Sequence, residues 1–228
     1  MTIVECGNLL PLFPGRDCSK IVQWRRAGVA TKAATSRRTP NCMRIIAGKY
    51  RGRRLKSPPS LETRPTSDRL RETLFNILAP RIKGARFLDL CAGSGAVGIE
   101  ALSRGAAHAT FVEVSRRMCA LIEANLQTVG TADGEVEVVS APASEALQWR
   151  VKKGGEPLDI IFYDPPYETD YEGVLDYIGE YAAGLLAEDG VVIVEHHRKN
   201  DLKEEFDGLK RYRVVKQGDS CLSFYGVR

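Results

Sequence analysis

The 228-residue chain has no uninterrupted apolar stretch near the roughly 20 residues that a bilayer-spanning helix requires, which excludes an integral helical membrane protein. Histidine is scarce, with three residues in all, and the six cysteines, at 6, 18, 42, 91, 119 and 221, form neither a CxxC pair nor any metal-ligand spacing. Scattered thiols exclude a dense disulfide framework and fit a reducing compartment. His196 and His197 are adjacent, but two neighbours closing a strand point to opposite faces, so no shared metal is expected. Acid is scarce in the N-terminal third. Residues 1–87 carry 19 Lys/Arg against 5 Asp/Glu, whereas residues 88–228 carry 14 against 24. The overall charge of +4 therefore conceals a strongly basic segment and an acidic remainder. A basic segment of this strength is the electrostatic footprint of a phosphate-rich partner.

Residues 1–42 show no sustained periodicity and contain only two acids, Glu5 and Asp17. They are expected to form a disordered, solvated extension. The Arg/Ser/Thr bias also fits an organellar transit peptide, and a further alternative makes Met43 the natural start, with a spurious extension before it. From Met43 to Lys56 the sequence MRIIAGKYRGRRLK carries six basic residues and no acid, broken by Gly48 and Gly52. This reads as a small basic β-hairpin, followed by the linker Ser57-Pro58-Pro59-Ser60. Residues 43–60 thus precede a main domain over 61–228. A helix follows, with Leu70, Leu74, Ile77 and Leu78 on one face, Thr66 or Ser67 as N-cap and Pro80 past its end.

Beyond it, strand and helix signals alternate. Strands are predicted over Phe87–Leu90, Thr110–Val114, Val136–Val139, Ile160–Tyr163 and Val191–Glu195, with helices over Ser115–Val129 and Tyr171–Ala183. Strict alternation predicts an α/β, doubly wound parallel sheet with helices on both faces. Tyr212–Lys216 and Ser220–Tyr225 flank the turn Gln217-Gly218-Asp219, so the sheet is expected to end in a reversed strand.

The first parallel strand leads into Asp89-Leu90-Cys91-Ala92-Gly93-Ser94-Gly95-Ala96-Val97-Gly98. Gly93 and Gly95 let the backbone turn tightly and approach a ligand at the N-terminus of the next helix. Glu113 lies 20 residues beyond Gly93, where a ribose-binding acid is expected. This pattern alone fits NAD as well as S-adenosylmethionine. Asp89 favours the latter, because a carboxylate suits a cationic methionine end and repels a pyrophosphate.

Behind the apolar run Leu158–Tyr163 stands Asp164-Pro165-Pro166-Tyr167. Two prolines lack the N–H that a central strand needs, so the chain leaves the sheet there. A carboxylate, carbonyls freed from the ladder and an aromatic ring suit a planar base with an exocyclic amine. Asp164 and the Pro165 carbonyl would accept the two amine hydrogens, and Tyr167 would stack on the unstacked base. Asp164, Pro165, Pro166 and Tyr167 are therefore the catalytic candidates.

These motifs together resemble the amino-methyltransferases of nucleic-acid bases. With Arg44-Ile45-Ile46-Ala47-Gly48, Arg51-Gly52-Arg53-Arg54-Leu55 and Arg64 to Asn76, the chain resembles the RsmD family over about residues 43–228. That resemblance implies a Rossmann-like, class I S-adenosylmethionine-dependent fold with a seven-stranded, mostly parallel sheet and a reversed last strand. It implies methylation of the N2 amine of one guanine in bacterial small-subunit (16S) ribosomal RNA, with ribosomal RNA or the assembling small subunit as partner. A cytoplasmic monomer without metal or membrane association is expected, or an organellar one if residues 1–42 are a transit peptide.

The same resemblance implies cofactor contacts from Thr66, Arg69, Asp89, Ala92, Gly93, Ser94, Gly95 and Glu113, and RNA contacts from Lys49, Arg51, Arg53, Arg54 and Arg64. Family members usually carry Asp or Asn after the third strand to hold the adenine amine, and Pro142 stands there. A prolyl ring cannot hold it, so adenine would rely on the Ala143 N–H or on apolar packing. Two rivals are an adenine-N6 methyltransferase and a catalytically silent nucleic-acid-binding protein. The first usually needs a target-recognition region, for which the about 25 residues between Tyr167 and the fifth strand leave no room. The second has no reason to keep both Asp164 and Glu113.

Overall fold

The structure, a computed structural model, describes residues 43–58, 67–166 and 171–228. The expectations for residues 1–42, Arg64, Thr66 and Tyr167 lie outside the described residues. The chain begins with a pair of two-residue strands, β1 (Met43–Arg44) and β2 (Arg54–Leu55), joined by turns at the predicted glycines. Helix α1 (Asp68–Leu78) follows. Its N-cap is Ser67, whose Oγ accepts the Leu70 N–H at 3.1 Å and so satisfies one of the helix's orphan donors.

Then come β3 (Arg86–Leu90), α2 (Ala96–Ser103), β4 (His108–Val112), α3 (Arg116–Val129), β5 (Val136–Val139), α4 (Ala143–Lys153) and β6 (Leu158–Tyr163). The remaining elements are α5 (Tyr171–Glu180), α6 (Ala182–Leu185), β7 (Leu186–His197), β8 (Glu205–Phe206), β9 (Leu209–Gln217) and β10 (Ser220–Val227). One sheet runs in the order β5-β4-β3-β6-β7-β10-β9-β8. From β5 to β7 neighbours pair in parallel, and β10 lies antiparallel to both β7 and β9. This is the expected Rossmann-like sheet with a reversed last strand. An eighth strand, β8, adds two residues to the edge of β9.

The inner strands β3, β4, β6, β7 and β10 are largely buried on both faces, which is why they read as mostly apolar runs. Phe87, Phe111, Ile160, Phe162, Ile193 and Phe224 pack with α1, α2, α3 and the hairpin. Leu88, Leu90, Ile161, Tyr163, Val192 and Tyr225 pack on the other face with α4, α5 and α6. Two elements differ from expectation. The helix predicted over Tyr171–Ala183 breaks at Tyr181, and the single turn α6 redirects the chain into β7. Strand β7 starts at Leu186 rather than Val191, because Glu188, Asp189 and Gly190 bulge out where its pairing with β6 shifts register.

The hairpin is fastened to α2 by a buried carboxylate. Glu100 accepts the backbone N–H groups of Ile46 at 2.8 Å and Ala47 at 3.0 Å and pairs with Arg104 at 2.7 Å. Ser103 accepts the Tyr50 N–H at 2.9 Å. Gly48 has φ +84°, and a Cβ there would lie 1.8 Å from the Ser103 carbonyl oxygen, so only glycine allows this approach.

Candidate active site

The parallel register brings the carboxyl ends of four strands level. Leu90 of β3 lies beside Val112 of β4 and Tyr163 of β6, and Val112 lies beside Val139 of β5. The next residues, Cys91, Glu113, Asp164 and Ser140, therefore form one row. The ladder extends past the strand ends, since Glu113 N–H reaches Val139 O at 3.0 Å and Ala92 N–H reaches Val112 O at 2.9 Å. Sequence order reverses between β3 and β6, so this row borders the topological switch point where doubly wound sheets bind ligands. Adjacent strands lie about 4.8 Å apart, which sets Glu113 and Asp164 on opposite flanks of β3, about 10 Å from each other.

The loop between β3 and α2 is shaped by positive φ. Cys91 (66°), Gly93 (55°) and Gly95 (77°) all occupy the left-handed region, and Gly95 caps α2. A Cβ on Gly93 would meet nothing within 4 Å, so the backbone there faces open space and a ligand can approach it closely. The third glycine has another task. A Cβ on Gly98 would lie 2.3 Å from the Phe111 ring, so Gly98 allows α2 to press against β4.

Glu113 supports the loop directly. One of its carboxylate oxygens accepts the Gly93 N–H and the other the Ser115 N–H, each at 2.9 Å. Each oxygen keeps acceptor capacity for a diol. Asp89 turns inward. It is fully buried, and its carboxylate accepts the Gly98 N–H at 3.0 Å inside the first turn of α2. Burial pushes its pKa up to about 7, the Gly98 bond opposes this, and the Glu113 charge adds to it. Half-buried Cys91 senses the whole row. Burial first, then the carboxylates of Glu113, Asp164 and Asp89, push its thiol up to about 12, so it is no nucleophile.

Asp164 is partly accessible, Pro165 is buried and Pro166 is exposed. Asp164 N–H reaches the Leu90 carbonyl at 3.4 Å, tying the catalytic candidates to the strand that bears the glycine loop. On the other flank, Pro142 is the N-cap of α4 and Ala143 its first residue. The Ala143 N–H therefore has no intrahelical acceptor and is available to a ligand. Val114, expected to end a strand that in fact stops at Val112, is 67% exposed next to Glu113 and offers an apolar surface there. Glycine loop, diol acceptor, free helix N–H and apolar face form a donor set that fits an adenosine-bearing cofactor.

The basic candidates divide into two groups. Lys49 forms an ion pair with Glu135 at 3.1 Å, and Arg53 donates to the Val129 carbonyl while its guanidinium lies 5.3 Å from the Tyr50 ring centre. Both are engaged within the chain. Arg51, Arg54 and Arg69 are exposed. Arg69 lies with Arg44 and Arg51 around a cavity between the hairpin and α1. Sequence reading also missed Asn125. This buried α3 side chain accepts the Lys56 N–H at 2.8 Å and donates to the carbonyls of Lys56 and Ser94, at 3.1 and 3.0 Å. Met43 closes the other end, its Sδ accepting the Ser94 hydroxyl at 3.4 Å. Both ends of the hairpin thus meet the cofactor loop at Ser94. Among the described residues no group of His, Cys, Asp and Glu is arranged to hold a metal ion, and no helix is long and apolar enough to cross a membrane.

Comparison with known proteins matches residues 43–226 to a family described as conserved hypothetical protein 95. Ribosomal RNA small subunit methyltransferase D of Escherichia coli K12 is 40% identical over 192 residues, 78% of this chain and 93% of the relative. The protein of the same name from Haemophilus influenzae is 35% identical over 197 residues, 78% of this chain and 97% of the relative. The solved structure of Escherichia coli yhhF superposes with a TM-score of 0.70 at 38% identity, covering 82% of this chain and 99% of that one.

Proposed function

Because the chain belongs to the RsmD family, described as conserved hypothetical protein 95, we propose that it methylates the exocyclic N2 amine of a guanine in small-subunit ribosomal RNA, with S-adenosylmethionine as methyl donor. The relatives' names carry the substrate class. The observation that supports the chemistry is the row of strand ends that sets Gly93, Glu113 and Asp164 around one crevice.

The cofactor supplies a methyl group on a sulfonium, an electrophile that a neutral nitrogen can attack. Glu113 holds the ribose diol, the Gly93–Gly95 loop with Ala92 and Ser94 lies along the methionine side, and Ala143 N–H and Val114 receive the adenine. Asp89 sets the loop's position through the Gly98 N–H and lies at the methionine side.

A guanine N2 is a weak nucleophile because its lone pair is delocalised into the ring. The Asp164 carboxylate and the Pro165 carbonyl accept its two N–H hydrogens, which draws the nitrogen toward tetrahedral geometry and aims the lone pair across the crevice. Positioning and stabilisation of the charge that develops on nitrogen carry the catalysis. After methyl transfer the nitrogen is acidic and loses one proton to Asp164 or water, so no strong general base is required. Pro166 fixes the backbone and Tyr167 stacks on the base. Arg51, Arg54 and Arg64 meet RNA phosphates, while Lys49 and Arg53 brace the hairpin and add to its positive field.

The test is transfer of label from radioactive S-adenosylmethionine to small ribosomal subunits, and to their naked RNA, from a strain lacking the enzyme. Label is expected in the small-subunit RNA and none in the large-subunit RNA; the reverse distribution refutes the proposal.

A further inference from the structure

The cavity between the hairpin and α1 shares no lining residue with the glycine loop or with the row of strand ends at Cys91, Glu113, Ser140 and Asp164. It measures about 500 Å³ and is lined by Arg44, Ile45, Ile46, Arg51 and Gly52 of the hairpin and by Asp68, Arg69 and Glu72 of the first turns of α1. We propose that this cavity is a nucleotide pocket, which takes one unpaired nucleotide of the RNA substrate flanking the methylated base.

Its size lies within the range of small-molecule sites, about 300–1,000 Å³. Its chemistry is that of a nucleotide's two ends. Three guanidinium groups, on Arg44, Arg51 and Arg69, bind a phosphate through paired N–H donors, as lysine cannot. The Glu72 carboxylate accepts the amino or imino hydrogens of a base edge. A site for phosphate alone gains nothing from that carboxylate. Ile46 adds an apolar wall.

The walls are held rigidly. Arg71 is fully buried behind them and donates from one Nη to the Arg44 carbonyl at 2.7 Å and to Asp68 at 2.9 Å, joining β1 to the start of α1. Its Nε and other Nη make no hydrogen bond to the described residues; burial lowers its pKa, and the carboxylates of Asp68 and Glu100 oppose that shift. Position relative to the reaction follows from Met43. Arg44 is its neighbour, and Met43 Sδ accepts from Ser94 of the cofactor loop, so a nucleotide held here lies along the chain from the base in the crevice.

This inference rests on the proposed RNA substrate. The experiment measures binding of a fluorescein-labelled small-subunit ribosomal RNA fragment by anisotropy at several salt concentrations, with S-adenosylmethionine affinity by calorimetry in parallel. For Arg44→Ala combined with Arg51→Ala, RNA affinity is expected to fall 10- to 100-fold and the salt slope to drop by about 2, with cofactor affinity within twofold of wild type. Glu72→Gln, an exposed change, is expected to weaken RNA binding several-fold with an unchanged salt slope. Photocrosslinking of 4-thiouridine-substituted RNA to the wild-type protein is expected to mark Arg44, Ile46 or Glu72, whatever the fate of the variants. Unchanged RNA affinity in the variants, loss of cofactor affinity, or crosslinks only elsewhere would each overturn the pocket. A wild-type protein that binds the cofactor but no RNA refutes the substrate itself.

Discussion

Asn125 donates to the Ser94 carbonyl at 3.0 Å and holds Lys56 through both its backbone N–H and its carbonyl, so one buried amide joins the end of the hairpin to the cofactor loop. The two segments are far apart in sequence and close in function. Whatever orders the hairpin therefore also biases the loop, and by linkage the cofactor biases the hairpin.

Replacing Asn125 by Ala leaves the Lys56 N–H, Lys56 carbonyl and Ser94 carbonyl without their partner. Removing one side of buried hydrogen bonds costs about 1–3 kcal/mol for each group stranded. Urea unfolding is expected to show a loss of about 3 kcal/mol or more, and calorimetry a weakened affinity for S-adenosylmethionine. Wild-type cofactor affinity in this variant would show that the loop does not depend on the tie.

Asp164→Ala removes an acceptor for the amine but none of the groups placed around the cofactor. Methyl transfer to RNA is expected to fall by at least about 10³-fold, the scale of losing one electrostatic partner of the reacting atoms, while the cofactor dissociation constant changes little. Single-turnover transfer and calorimetry on the same preparation separate the two. Loss of cofactor binding with unchanged turnover per bound cofactor would remove Asp164 from the chemistry.

Asp89 makes stability depend on pH. Its folded pKa, about 7, lies above the 3.8 of the free group, so between those values the folded state holds more protons than the unfolded one. The stability it contributes is therefore full below about pH 4 and is lost as pH rises toward 7, at up to about 1.4 kcal/mol per pH unit. Asp89→Asn keeps an acceptor for the Gly98 N–H and lacks this loss. Urea unfolding from pH 5 to 8 is expected to show wild type falling relative to Asp89→Asn until about pH 7 and running parallel above it. A constant difference across that range would mean that Asp89 stays ionised in the fold.

Much of this was legible in the sequence where local chemistry is decisive. Two prolines must end a central strand, so the Asp164 segment was fixed by backbone chemistry, and Gly93 and Gly95 announced a turn with positive φ. Alternating apolar runs gave the sheet and its reversed last strand. What the sequence did not disclose depends on side chains meeting across distant elements. Asn125 reads as an ordinary helix surface residue until α3 sets it against Lys56 and Ser94. Glu100 and Arg71 look like solvated charges, yet both are buried because the hairpin folds over them. The hydrogen bond that Asp89 accepts from the Gly98 N–H was equally hidden. The start of β7 was hidden by Glu188, Asp189 and Gly190, whose turn chemistry belongs to a bulge.

The proposed transfer of a methyl group to the N2 of a guanine in small-subunit ribosomal RNA takes place at the ends of β3, β4 and β6. It is tested most directly by treating small-subunit RNA and particles from a strain lacking the enzyme with the purified protein and S-adenosylmethionine, followed by nucleoside mass spectrometry. N2-methylguanosine is expected at one position with wild type and none with Asp164→Ala. N6-methyladenosine, or no modified nucleoside from a protein that binds the cofactor, would contradict it.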